Sequence, residues 1–239
     1  MATSGITTFD LTRDNIINAA LRKIGVVAKG QTAETEDITN GAQALNVMLK
    51  GFQTKGMPLW AIQEYTFPLT ATRSYTIGVG RTTNTPAPLK ITQAYVKDTT
   101  TNYSTPLNIQ THYNYNITNP KSTDTGTPVN LEYEPGNQSG LIRIWPTPDS
   151  YSISSRNITI VYQRPFEDMT ASGDALDFPQ YWLEAVIYGL ASRLASEYGL
   201  PLPDRADLRQ EAAYFLNEAL SFGTEEGSMF FSPNWQGMR

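Results

Sequence analysis

The stretch Asp177–Phe222, DFPQYWLEAVIYGLASRLASEYGLPLPDRADLRQEAAYFLNEALSF, reads as two helices joined by the turn Gly199-Leu200-Pro201-Leu202-Pro203. The first helix is expected to begin at Phe178-Pro179. Proline at a first helical position forfeits only an N–H that would be unpaired anyway, and Asp177 can cap the free amides. Trp182, Ala185, Val186, Gly189, Leu190 and Leu194 then recur at three- and four-residue spacing and form one apolar face. Gly199 stops this helix, and the two prolines block its continuation. The second helix takes Asp204 as its cap. Its apolar positions Leu208, Ala212, Phe215, Ala219 and Phe222 step by four, three, four and three, one continuous seam. Burying a large side chain of that seam contributes roughly 1.5 to 3 kcal/mol, so the hairpin needs a partner surface.

That partner is sought at the other end of the chain. A first helix from Leu11 or Thr12 to Ile24 buries Ile16, Ile17, Ala20, Leu21 and Ile24, and Gly25 ends it. A second helix carries Ile38, Ala42, Leu45, Leu49 and Phe52, again stepping by four, three, four and three, and breaks at Gly56-Met57-Pro58. Two separated pairs with matching seams predict one four-helix core, with Ile38, Leu45, Leu49, Phe52, Leu208, Phe215 and Phe222 as its seam residues.

Between the pairs, residues 59–165 change character. Thr, Asn, Tyr, Pro and Gly dominate, and apolar residues alternate with polar ones. Strands are expected at 65–69, 75–79, 89–97, 129–134, 141–145 and 158–163, with a turn-rich or looped middle at 99–127. The fold class is therefore α+β. A four-helix core (1–58 and 166–223) is split by an inserted antiparallel β domain (59–165), a sandwich or small barrel, and is followed by an extended C-terminal tail (224–239).

Composition narrows the function. With 239 residues, 40% hydrophobic and 17% charged, the chain can bury real cores. A formal net charge of −5 and the lack of a Lys/Arg cluster argue against a surface that grips nucleic acid through phosphates. The absence of cysteine removes disulfides, thiolate metal sites and cysteine nucleophiles, and fits synthesis in a reducing cytoplasm. Residues 1–10 lack the basic and apolar regions of a signal peptide, and no apolar run nears the ~20 residues of a membrane span. Four Asn-x-Ser/Thr triplets, at Asn102, Asn116, Asn137 and Asn157, read as accidents of an Asn- and Thr-rich segment.

Candidate chemistry is sparse. His112, the single histidine, stands between Thr111 and Tyr113 without a second ligand of metal-binding spacing, and reads as exposed or turn-stabilising. Gly78-Val79-Gly80 begins a dinucleotide fingerprint, but Thr83 takes the place of the third glycine and no helix is expected to follow. Glu132 and Glu134 lie two apart on an expected strand and share one face, a geometry open to a cation or to a solvated surface. Asp174 and Asp177 pose the same choice before a helix. No catalytic residue, cofactor site or metal site is assigned, and the chain is not expected to be an enzyme. The tail carries Met229, Phe230, Phe231 and Trp235, an aromatic cluster that is costly unless it docks, on a partner or back onto the helices.

Residues 18–26, NAALRKIGV, with 55–60, KGMPLW, resemble the opening of the head-to-tail adaptors of short-tailed phages. Residues 178–185, FPQYWLEA, running on to 191–195, ASRLA, are similar to the third helix of that family, variously called tail accessory factors, packaged-DNA stabilisation proteins or tubular tail protein A. The order of parts matches as well: helix pair, variable β insertion, helix pair, extended tail. The resemblance implies a homo-oligomeric ring, a dodecamer in the virion, assembled beneath the portal protein at the neck. Such a ring extends the DNA exit channel and gives tail nozzle or tail fibre proteins a platform, with no membrane involved. DNA would pass without sequence-specific binding: twelve copies at −5 carry about −60, which repels phosphates. Met229, Phe230, Phe231 and Trp235 become the portal-docking residues. The alternative reading from the residues is a glycan- or surface-binding module that uses the Tyr-, Asn- and Thr-rich β region.

Overall fold

The computed structural model describes residues 5, 8–55, 59–118 and 124–223. Among them the chain opens with helices α1 (Arg13–Lys23) and α2 (Thr35–Phe52), then a 3-10 turn at Leu59–Ala61. Strands β1 (Ile62–Pro68), β2 (Ser74–Ile77), β3 (Lys90–Asp98), β4 (Ser104–Pro106) and β5 (Asn108–Gln110) follow, then helix α3 (His112–Thr118). Next come β6 (Thr125–Gly126), β7 (Asn130–Glu134), β8 (Gly140–Trp145), β9 (Thr147–Pro148), helix α4 (Ser150–Ser155) and β10 (Arg156–Gln163). A 3-10 turn at Gln180–Trp182 leads into α5 (Leu183–Leu194), and α6 (Leu202–Phe222) ends the described chain.

The fold is mixed α and β, with six helices and mainly antiparallel sheets among the described residues. One four-stranded sheet runs β1-β10-β3-β4 and the other β2-β8-β7-β5, while β6 and β9 form a short ribbon. The pairs β5–β7 and β6–β9 are parallel. Ile142 and Ile144 of β8, Ile158 and Ile160 of β10, Tyr75 and Ile77 of β2 and Leu131 of β7 all enter one buried cluster, so both sheets share a core. Period-two alternation explains most of it. The exception is β3, where the buried positions Ile91 and Ala94 lie three apart. The register against β10 slips between Val161 and Tyr162, leaving one extra residue on β3, and a bulge of this kind resets which side chains face the core.

The helices share a second buried cluster. Ile16, Ile17 and Leu21 of α1, Leu45 and Leu49 of α2, Val186, Leu190 and Leu194 of α5, and Leu208, Leu216 and Ala219 of α6 all belong to it. Helix α5 touches α1, α2 and α6. Glycines set the closest approaches: a Cβ on Gly41 would come within 2.6 Å of Ile17 Cγ2, and one on Gly189 within 2.9 Å of Met48 Sδ. No larger residue fits at those two crossings without moving its neighbour.

Five aromatic rings join the two regions. Trp60, in the turn before β1, stacks on Phe166 at 4.9 Å between centroids and lies 4.8 Å from Phe178. Phe178 continues to Trp182 at 5.3 Å, and Trp182 to Phe52 of α2 at 5.9 Å. Arg164, just after β10, lies 5.6 Å over the Trp60 ring, and its amide donates to the Ala61 carbonyl at 2.9 Å. The outgoing and returning chain run side by side, since Ile62 pairs with Gln163.

Several expectations are corrected. Asp177 does not cap a helix; its carboxylate takes both guanidinium nitrogens of Arg164, at 2.5 and 2.6 Å. Pro179 holds the capping position before the 3-10 turn. Asp204 is not the cap of α6, which begins at Leu202 after Pro201 and keeps Asp204 inside its first turn. Phe222, expected on the buried seam, is 74% exposed and meets only the margin of the core through Tyr181, at 4.8 Å. A four-three repeat has 3.5 residues per turn against 3.6 in a straight helix, so the seam drifts about 20° per heptad and leaves the core by the last turn. The middle segment 99–127 is not wholly loop, because β4, β5, α3 and β6 lie in it, and α4 sits before β10. The expected break at Gly56-Met57-Pro58 lies outside the described residues.

Replacing Trp60 with Ala removes the ring that touches Phe166, Phe178 and Trp182. Stability is expected to fall by about 3 kcal/mol, with helix and sheet signals melting together in calorimetry and circular dichroism. A variant with an unchanged melting temperature would show that the rings do not couple the two regions.

Candidate functional site

The carboxylate pair singled out in the sequence lies on β7, and the strand pairing decides its chemistry. Arg143 of β8 is the direct antiparallel partner of Glu132. Its guanidinium forks, reaching Glu132 Oε2 and Glu134 Oε2 at 2.7 Å each. Glu132 is only 1% exposed, and its second oxygen meets His112 Nδ1 at 3.1 Å. The opposite ring nitrogen of His112 faces Asn116 Nδ2 at 2.9 Å, one turn along α3. Ligand-capable atoms of His112, Glu132 and Glu134 lie within 4.8 Å of one another, yet the cation between the two carboxylates is the protein's own Arg143. Burial pulls Arg143 downward, but the hydrogen bonds it donates to Glu132 and Glu134 and their charges outweigh it and leave its pKa raised. Two carboxylates on one guanidinium, one of them buried, do not flank a scissile bond as a hydrolytic pair must.

The second acidic pair is divided between two structural tasks. The Asp174 carboxylate accepts the amides of Ala171 at 2.6 Å and Thr170 at 2.7 Å, which hold it below the usual carboxylate range. The same loop clips the start of α1: the Arg13 amide donates to the Asp174 carbonyl at 2.9 Å, and its guanidinium to the Thr170 carbonyl at 2.6 Å. Asp177 pairs with Arg164, and that hydrogen bond raises the Arg164 pKa against the opposing effect of burial. Gly78 belongs to a turn whose amide and carbonyl both bond backbone, to Thr83 and Arg81.

Of the expected seam residues, Leu45, Leu49, Phe52 and Leu208 are buried, and Ile38 and Phe215 pack against the cluster from half-buried positions. Phe215 stacks on Tyr188 at 4.8 Å. Leu216, absent from the expected seam, is 8% exposed. The expected docking residues Met229, Phe230, Phe231 and Trp235 lie outside the described residues. Arg143 and Arg164 are the partners that sequence reasoning missed. Neither is near its carboxylates in the chain in a way that a local rule detects, although an arginine inside an apolar strand run is itself a signal that a buried acid stands opposite.

Helix α6 leaves large apolar side chains at the surface: Leu202, Tyr214 and Phe222 are 73%, 63% and 74% exposed. Among the described residues no helix is long and apolar enough to cross a membrane. The chain belongs to the SU10 adaptor protein family, whose match runs over residues 11–232. It is a phage adaptor with a structural role in the virion, working among head and tail proteins, in agreement with the resemblance carried by residues 18–26 and 178–195. No individual characterised protein matches the sequence significantly.

Replacing Arg143 with Gln leaves Glu132 buried without its main partner. Loss of one member of a buried pair costs about 3 to 5 kcal/mol, so the melting temperature should fall by roughly 6 °C or more. Removing the charge of the exposed Glu134 should matter far less. Equal effects of Arg143→Gln and Glu134→Gln would contradict the assigned burial.

Proposed function

We propose that this protein is a head-to-tail adaptor that forms a ring below the portal, a dodecamer in the virion, extending the DNA exit channel and carrying the tail nozzle or fibres. The observation that carries this reading is the family match over residues 11–232, which takes in both helical ends and the region between them. In this reading residues 1–58 and 166–223 form one four-helix unit, 59–165 is an inserted β domain, and 224–239 is a docking tail. The helical unit makes the subunit contacts. A head-to-tail pairing of two different faces closes into a ring when its rotation divides the circle. The net charge of −5 keeps the channel from gripping DNA. Met229, Phe230, Phe231 and Trp235 anchor the tail in the portal, a mode in which a few aromatic side chains carry most of the binding energy. The protein is made in the host cytoplasm and ends in the virion neck, without a cofactor.

The test mixes purified chain with the portal protein of the same genome and reads mass by light scattering. A ring-sized complex is expected with the full chain and not with a chain lacking residues 224–239. Phe231→Ala should weaken binding while leaving circular dichroism and melting unchanged. A full chain that stays monomeric and ignores the portal overturns the reading. It would turn attention to the exposed Tyr103, Tyr113 and Tyr151 of the β region, with a glycan-binding screen as the next measurement.

A further inference from the structure

Helix α6 has two edges of opposite character. On one, Asp207, Glu211, Tyr214 and Glu218 step by four, three and four, so they form a single stripe, and all four are exposed. Arg209 lies two residues from both Asp207 and Glu211, about 200° around the helix, and so on the opposite edge. There it borders a groove of about 300 Å³ between α2, α5 and α6. The floor of that groove is apolar, with Met48 and Phe52 of α2 and Ala212 and Leu216 of α6, and its rim carries Lys55, Arg193 and Arg209. Gly189 lets α2 sit close enough to α5 to build this floor.

The charges on both edges are free to act between molecules. Among the described residues neither the acids Asp207, Glu211 and Glu218 nor the cations Lys55, Arg193 and Arg209 enter an ion pair. Lys55 lies 5.8 Å over the Phe52 ring, at the groove wall. Tyr214, 63% exposed, stands in the middle of the acidic stripe. An aromatic anchor ringed by acids is the complement of an apolar pocket ringed by cations.

We infer that the occupant of this groove is a second copy of the chain: the Asp207–Glu218 edge of α6 in one copy seats on the Lys55–Arg193–Arg209 groove of the next, with Tyr214 inserted over Met48 and Phe52. The two faces differ, so each copy uses one face to hold the copy ahead and the other to be held from behind. That is the heterologous contact a ring requires, as opposed to the self-complementary contact of a two-fold dimer. The inference rests on the ring reading and assigns its subunit interface.

The experiment uses two charge-reversed full chains, R193E with R209E, and D207K with E211K, each checked for folding by circular dichroism. Ring assembly with the portal is read by light scattering at low and high salt. Each variant alone now sets like charges face to face and should associate about a hundredfold more weakly or worse. An equimolar mixture should assemble, because the reversed groove of one variant fits the reversed stripe of the other, and the unaltered faces fit each other in alternation. Wild-type assembly should weaken as salt rises. Rings formed by either variant alone, or a mixture that stays dissociated while wild type assembles, would overturn this interface and leave the adaptor reading standing. A wild-type chain that forms no ring with the portal would overturn both.

Discussion

The rest of the molecule depends on the stack of rings at the crossing between helices and sheets. The chain leaves α2 past Trp60 and returns past Phe166, and these two rings lie nearly parallel, 4.9 Å apart. Phe178 and Trp182 then tie them to Phe52, inside the helical cluster. Each such pair adds about 0.5 to 1.5 kcal/mol beyond the area it buries. Arg164 fastens the crossing from outside, lying over Trp60 and forking onto Asp177. Such a partly buried ion pair adds little net stability, but it penalises any arrangement that separates its members. It therefore serves chiefly to set geometry, holding the first turn before α5 against the end of β10.

That geometry matters for an adaptor, which must transmit position from one neighbour to another. A sheet region hung on a loose linker would leave its orientation on the helices undefined. Here the two crossing segments pair as strands from Ile62–Gln163 onward, and their roots are packed in aromatic rings. The polar network around Glu132 fixes positions within the β2-β8-β7-β5 sheet. Arg143 locks β7 to β8, and His112 pins α3 across them.

The helices were legible because a 3.6-residue period leaves a plain trace in Ile16, Ile17, Ala20 and Leu21, and in Leu45 and Leu49. The six longest strands were legible within a few residues from alternation and turn residues, while the two- and three-residue strands β4, β5, β6 and β9 are too short to show a period. Which strands pair was not, since β1 meets β10 across about a hundred residues, and nothing in either strand alone names the other. Helix α3, HYNYNIT, has few strong helix formers. Tertiary contacts hold it, with the Tyr115 hydroxyl donating to the Ile144 carbonyl at 2.9 Å and His112 on Glu132. Asp177 misled for the same reason: the local capping rule is short-ranged, and Arg164, thirteen residues away, offers a full charge where a cap offers amides. Phe222 leaves the core because its four-three spacing does not match the 3.6-residue turn of a straight helix. At the candidate site, the carboxylate pair was visible as a motif, but its neutralisation by Arg143 depended on strand register.

The central proposal is a ring closed through the helices of neighbouring copies. Electron cryomicroscopy of the virion neck tests that most directly. A closed ring is expected in which neighbouring copies meet through α2, α5 and α6, with the sheets carried on the helices in one fixed orientation. A neck in which copies meet through their sheets, or in which this chain forms no ring, would contradict it.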